Sequence, residues 1–195
     1  MRARASNGYS LPELLWVVAL LVTVTAIAIP QLLAGLDEAR GLAAARYVAG
    51  RLHEARMAAI ARSAHVALRF DKTADGYEYA MYLDVNRNGV RTSEIQAGVD
   101  RPITSPERLW QQIPGTDFGL AAGVPAVEGG TVADTTPIKF GTSSMASFTA
   151  LGNSSSGSAY VRSRKGAQYV VRVFGGTGKI RVLWFDPRTN KWIQR

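Results

Sequence analysis

The residues best placed to do chemistry lie near the start of the chain. There Gly8-Tyr9-Ser10-Leu11-Pro12-Glu13 opens an almost wholly apolar run that ends at Leu33. Glu13 is the only charged side chain between Arg4 and Asp37. A carboxylate in lipid costs roughly 2.5–3.5 kcal/mol at a helix centre on insertion scales, and less near an end. A charge placed there is a functional residue by default. Its chemistry is electrostatic: once the segment is enclosed in apolar surroundings, it needs a cation beside it.

The element that positions Glu13 is a helix. Leu14–Leu33 is 20 residues, about 30 Å of α-helix, which matches one bilayer crossing. Arg2 and Arg4 precede it, so the positive-inside tendency puts the leader in the cytoplasm and the rest across the membrane. Helical spacing continues to about Ser63, with Leu32, Leu36, Ala43, Leu52, Ala55, Ala59 and Ile60 as the recurring apolar positions. The chain divides into a leader (1–8), a transmembrane half-helix (9–34), an amphipathic half-helix (35–65) and a β-rich domain (66–195). Alternation over Val66–Phe70, the Asp75-Gly76 turn, and Tyr77, Tyr79, Met81 and Leu83 on one face predict a hairpin. Residues 86–136 read as loops with short strands. Strands resume at Ile138–Gly141 and Ala146–Thr149, and continue as Ala159–Arg162, Tyr169–Phe174 and Lys179–Phe185. The expected fold class is α+β: a long N-terminal helix packed on an antiparallel β-sheet or β-sandwich.

The N-terminal residues resemble those of type IV prepilins and type II secretion pseudopilins. In that family a small basic leader ends in Gly, an aromatic residue follows, and Glu lies five residues beyond the Gly. Gly8, Tyr9 and Glu13 match, with Tyr in place of the commoner Phe. The resemblance implies a pilin fold, cleavage between Gly8 and Tyr9 by a prepilin peptidase, and N-methylation of the Tyr9 amine. It implies that Glu13 attracts the Tyr9 ammonium of a neighbouring subunit during assembly. An ordinary secretory signal is cleaved after its apolar core, whereas this site precedes it. Pro12 falls in the first turn, where a missing N–H costs little. Pro30 is expected to kink the helix or loosen its bonding.

The later half is similar to the GspH/FimT family of minor pseudopilins, through Arg51-Leu52-His53-Glu54-Ala55-Arg56, Phe140-Gly141, the loop from Gly152 to Gly157, and Gly178-Lys179-Ile180-Arg181. This implies a non-enzymatic subunit of a periplasmic pseudopilus for type II secretion, single-pass in the inner membrane with its C-terminal domain in the periplasm. The implied partners are the prepilin peptidase, other pilin or pseudopilin subunits, an inner-membrane assembly platform and secreted cargo.

The net charge of +8 is uneven, since residues 160–195 hold nine basic side chains and one acidic. Cations interleaved with Tyr160, Tyr169, Trp184 and Trp192 suit phosphate attraction with base stacking. FimT members of DNA-importing bacteria bind DNA through a Gly-Arg-x-Arg-like turn, so the resemblance also implies an alternative: a minor type IV pilin that binds DNA through Lys179, Arg181 and Arg172. Lys179 keeps the charge of the family's Arg but lacks its planar fork.

Other motifs argue against catalysis. Asp84-Val85-Asn86-Arg87-Asn88-Gly89 opens like a calcium loop, but Ile95 stands where a bidentate acid is needed. Gly175-Gly176-Thr177-Gly178-Lys179 lacks the remaining residues of a phosphate loop. Ser154–Ser156 form no nucleophile elbow. His53 and His65 lie about 120° apart around a helix axis, unsuited to one metal. Cysteine is absent. The sequence therefore predicts no enzyme, no metal and no cofactor.

Overall fold

Helix α1, Leu11–Arg62, is the first element and by far the longest, at 52 residues. The computed structural model describes residues 9–127 and 136–195. These fall into two units, one ending at Leu36 and the other beginning at Asp37. In the first, the large apolar side chains from Leu11 to Leu36 stand exposed, and α1 runs through Pro30 as one helix. The hydroxyls of Thr23 and Thr25 donate to the carbonyls of Ala19 and Leu21, at 2.8 and 2.6 Å. Both polar groups are thus satisfied within the helix, as a lipid environment demands. This is the one helix among the described residues that is long and apolar enough to cross a membrane.

In the second unit, α1 buries Asp37, Gly41, Ala44, Ala45, Val48, Ala49, Leu52, Ala55 and Ala59. Of the recurring apolar positions in the amphipathic half, Leu52, Ala55 and Ala59 lie on this face, whereas Leu36, Ala43 and Ile60 are exposed. The face is chosen by closeness of approach rather than by side-chain size. A Cβ on Gly41 would sit 2.6 Å from a ring carbon of Tyr169, so the ring lies directly on the helix backbone. The helix ends with Ser63 at φ +48° and a bond from the Ala64 N–H to the Ala59 carbonyl, a Schellman-type ending.

The chain then forms β1 (Val66–Thr73), β2 (Gly76–Leu83), α2 (Thr92–Gln96), β3 (Arg101–Pro102), β4 (Glu107–Arg108), α3 (Leu109–Gln112) and β5 (Thr116–Phe118). It continues as β6 (Ile138–Phe140), β7 (Met145–Phe148), β8 (Gly157–Ser163), β9 (Gln168–Phe174), β10 (Lys179–Asp186) and β11 (Lys191–Gln194). One sheet has the order β3-β2-β1-β7, with β4 also on β2. The other has the order β11-β10-β9-β8-β5, with β6 also on β8. Every registered pair is antiparallel. The chain is α+β, as the sequence indicates.

Both sheets and the buried face of α1 share one core. Tyr79 and Met81 are buried in it, and Tyr77 and Leu83 pack against it, as their alternation requires. Phe70 of the first sheet meets Phe118 and Phe140 of the second at ring separations of 5.4 and 6.0 Å. The segments 138–140 and 145–148 join different sheets, so the short link between them carries the chain from one layer to the other.

Candidate functional site

Gly8 lies outside the described residues. Tyr9 is 80% exposed, and Glu13 occupies the exposed first turn of α1. The helix ladder starts with the Leu14 N–H on the Ser10 carbonyl at 3.1 Å, so the missing N–H of Pro12 leaves no gap in it. The surroundings of Glu13 are apolar: Leu11, Leu14, Trp16 and Val17 are all exposed beside it. No donor among the described residues reaches the carboxylate. The site is therefore a lone acid on an uncovered greasy rod, able to attract a cation that arrives from outside the chain.

A second arrangement escaped the sequence reading. Asp37, the first residue of the folded unit, is buried on α1. Its carboxylate accepts from the Ser163 hydroxyl and from the Lys165 backbone N–H at 3.1 Å, which ties the helix to the turn between β8 and β9. The Tyr169 hydroxyl donates to the Glu38 carbonyl at 3.0 Å; burial foremost, then the Glu38 carboxylate, pushes its pKa up to about 12. Arg195 reaches Glu38 at 3.3 Å and lies over the Trp184 ring. The available signal was periodicity: Asp37 precedes Gly41 and Ala44 at helical spacing, in register with the buried stripe.

The Arg51–Arg56 segment also ties α1 to the sheets. Arg51 donates to Glu107 at 2.8 Å and to Glu54 at 2.5 Å, and the Tyr47 hydroxyl donates to the other Glu107 oxygen at 2.8 Å. Burial and the hydrogen bond to Glu107 raise the Tyr47 pKa. Arg56 donates to the carbonyls of Gly152 and Thr177 at 2.9 and 3.1 Å, holding two turns together. Gly178 is needed there: its φ is +60°, and a Cβ would fall 2.2 Å from the Gly152 carbonyl oxygen.

The structure brings Lys179, Arg181 and Arg172 to one face of the second sheet. Arg181 stands opposite Arg172, and Lys179 opposite Phe174. Both guanidinium groups lie over the Phe174 ring, 5.3 and 5.4 Å from its centroid. This contact offsets the repulsion of like charges placed directly across the strands. Lys179 is exposed, whereas the two arginines are half-buried.

The remaining motifs are turns. Asp84 is buried and accepts from the backbone N–H groups of Arg87 and Gly89, each at 2.7 Å, with His65 Nδ1 3.2 Å away. Its oxygens are occupied by the loop's own donors. Asn86 and Asn88 both donate to Glu94, at 3.1 and 2.7 Å. Ser155 and Ser156 bond to backbone N–H groups of Ser147 and Gly175, tying neighbouring strands. Gly175–Gly178 connects β9 to β10. Among the described residues no group of three His, Cys, Asp or Glu side chains could hold a metal ion.

Comparison with protein-family models, curated proteins and solved structures finds no match for this chain.

Proposed function

We propose that this chain is a minor pseudopilin, held in the inner membrane by its apolar half-helix and drawn into a periplasmic filament for type II secretion. The observation that carries this reading is the exposed apolar helix bearing Glu13 as its one charge, followed directly by a folded α+β unit. Such a helix is satisfied in lipid, and equally among copies of itself. In the second setting Glu13 has a reason to exist, because the cleaved N-terminus of a neighbour supplies the missing cation. The Gly8-Tyr9 junction supplies that amine when the prepilin peptidase cuts there. On this reading the protein is not an enzyme; it contacts other subunits, the assembly platform and cargo.

N-terminal sequencing and mass spectrometry of the membrane-bound protein test this proposal. The mature chain is expected to begin at Tyr9 with a methylated amine, and Gly8→Arg to accumulate as unprocessed precursor. A wild-type protein that still begins at Met1 in a cell with an active prepilin peptidase overturns the reading.

A second reading, DNA capture by a FimT-like pilin, is favoured by the common face that Lys179, Arg181 and Arg172 share with Phe174. If it holds, duplex binding by the detergent-solubilised chain weakens steeply with salt. Joint Lys179→Ala and Arg181→Ala substitution then lowers the log–log salt slope by about two units. A slope near zero in the wild type removes this reading.

A further inference from the structure

The outer face of the second sheet carries a row of side chains whose hydrogen bonding is incomplete. Ala159, Val161, Val171 and Val173 belong to the core, and Ile180 and Val182 pack against it. Strand alternation therefore turns Ser158, Arg172 and Arg181 to the opposite face. The register sets them side by side: Lys139 stands opposite Ser158, Ser158 opposite Arg172, and Arg172 opposite Arg181. Neighbouring strands are about 4.8 Å apart, so the backbones at Ser158 and Arg181 are about 10 Å apart. Side chains from both can meet one small group lying between them.

Two polar atoms of this row have no hydrogen-bond partner among the described residues. The Ser158 hydroxyl is one, although the residue is only 6% exposed. The Arg181 Nε is the other. A buried polar atom without a partner is destabilising, and folded proteins keep few of them. Two on one face, on either side of Arg172, point to a group that completes both. The charge of that group follows from its neighbours. Arg181 forms no ion pair among the described residues. Its guanidinium and that of Arg172 lie over the Phe174 ring, a contact that fixes them without using their in-plane N–H donors. Lys139 and Arg172 have other interactions of their own and add positive charge. The donors that await a partner are those of Ser158 and Arg181.

A phosphate suits this row better than a carboxylate does. It carries more charge, and its oxygens point in several directions, so it can meet donors that converge from different strands. The depth of Ser158 selects an end group. A phosphate inside a duplex carries a sugar on both sides and stays at the rim, whereas a free phosphate or terminal monoester keeps three oxygens open. We infer that Ser158 and Arg181, flanked by Arg172 and Lys139, form a seat for one phosphate group, taken as free phosphate or as a terminal monoester. The seat is independent of the filament reading. It differs from the duplex contact described above, which depends on the exposed Lys179.

Isothermal titration of inorganic phosphate into the detergent-solubilised full chain, in chloride buffer, tests the seat. Saturable binding of one phosphate per chain is expected. A hydrogen bond to a charged group is worth a factor of about ten or more, so Ser158→Ala weakens binding about tenfold. Arg181→Gln weakens it further, and Arg181→Lys, which keeps the charge and loses the Nε donor, falls between. Without phosphate, Ser158→Ala melts at the wild-type temperature or above it, because the hydroxyl it removes is unspent. A melting point lowered by several degrees overturns the inference, since the hydroxyl is then bonded within the protein. Absence of saturable binding, or wild-type affinity in any of the three variants, also overturns it. Glycerol phosphate is expected to displace the bound phosphate, and a duplex with unphosphorylated ends to leave it in place. Displacement by acetate at equal concentration overturns the choice of phosphate. Displacement by that duplex overturns the end-group seat while the DNA reading stands.

Discussion

Glu13→Ala leaves membrane insertion and cleavage intact and blocks entry into filaments, if the proposed assembly holds. Removing a carboxylate from a lipid-facing helix makes insertion easier, by up to roughly 2.5–3.5 kcal/mol at the helix centre and less at the end where Glu13 lies. A role confined to membrane anchoring would therefore predict a neutral or improved variant. Assembly predicts the opposite, since an incoming Tyr9 ammonium enters an apolar bundle with nothing to neutralise it. Leaving one charge of a buried pair without its partner typically costs 3–5 kcal/mol, enough to reduce incorporation by at least a hundredfold. Glu13→Gln should be nearly as defective, because it keeps the shape and loses the charge. The measurement is the fraction of processed protein recovered in sheared or cross-linked filaments. Wild-type incorporation of Glu13→Ala would remove the mechanism while leaving the processing test to stand on its own.

Phe70→Ala has the largest expected effect on stability. Phe70 is 1% exposed and touches Tyr79 in its own sheet and Phe118 and Phe140 in the other. The substitution removes a ring that both layers close upon, so neither can relax into the space without leaving the other. Phe-to-Ala changes in cores cost about 3–5 kcal/mol, a large share of the 5–15 kcal/mol that holds a typical domain together. Denaturant unfolding of the full chain in detergent should show this loss in the β-sheet signal, with the N-terminal helix still membrane-competent. A loss below about 1 kcal/mol would mean that the two sheets are held together elsewhere.

The elements with strong local patterns were legible in the sequence. The apolar run, the Asp75-Gly76 hairpin and the strands around 159–162, 169–174 and 179–185 carry their own periodicity, and each was found close to its place. The buried stripe of the lower helix was only half legible. The recurring positions in the sequence include Leu52, Ala55 and Ala59, which are buried, and Ala43 and Ile60, which are exposed; they miss Gly41, Ala44 and Ala45, which the sheets take because small residues allow close approach. Asp37 reads as the end of the apolar run, since its partners Ser163 and Lys165 lie more than a hundred residues away. Strand β11 is four residues long and depends on pairing with β10, so it carried too little pattern of its own. Gly8, Tyr9 and Glu13 were named from spacing and resemblance, and the structure adds only the exposure of the latter two. Arg181 is named from the resemblance of Gly178-Lys179-Ile180-Arg181 to a family turn, and Arg172 from the basic composition of the last strands; their common ring, Phe174, follows from a strand register that neither holds.

The bonds along α1 have a mechanical consequence. Asp37 and Glu38 meet the turn and strand at 163–169, Arg51 meets Glu107, and Arg56 grips the turns at 152 and 177. A tensile load arriving along the helix is therefore shared by fastenings spread over some twenty residues, rather than opening one junction and then the next. Pulled by its stem, the folded unit would resist in shear.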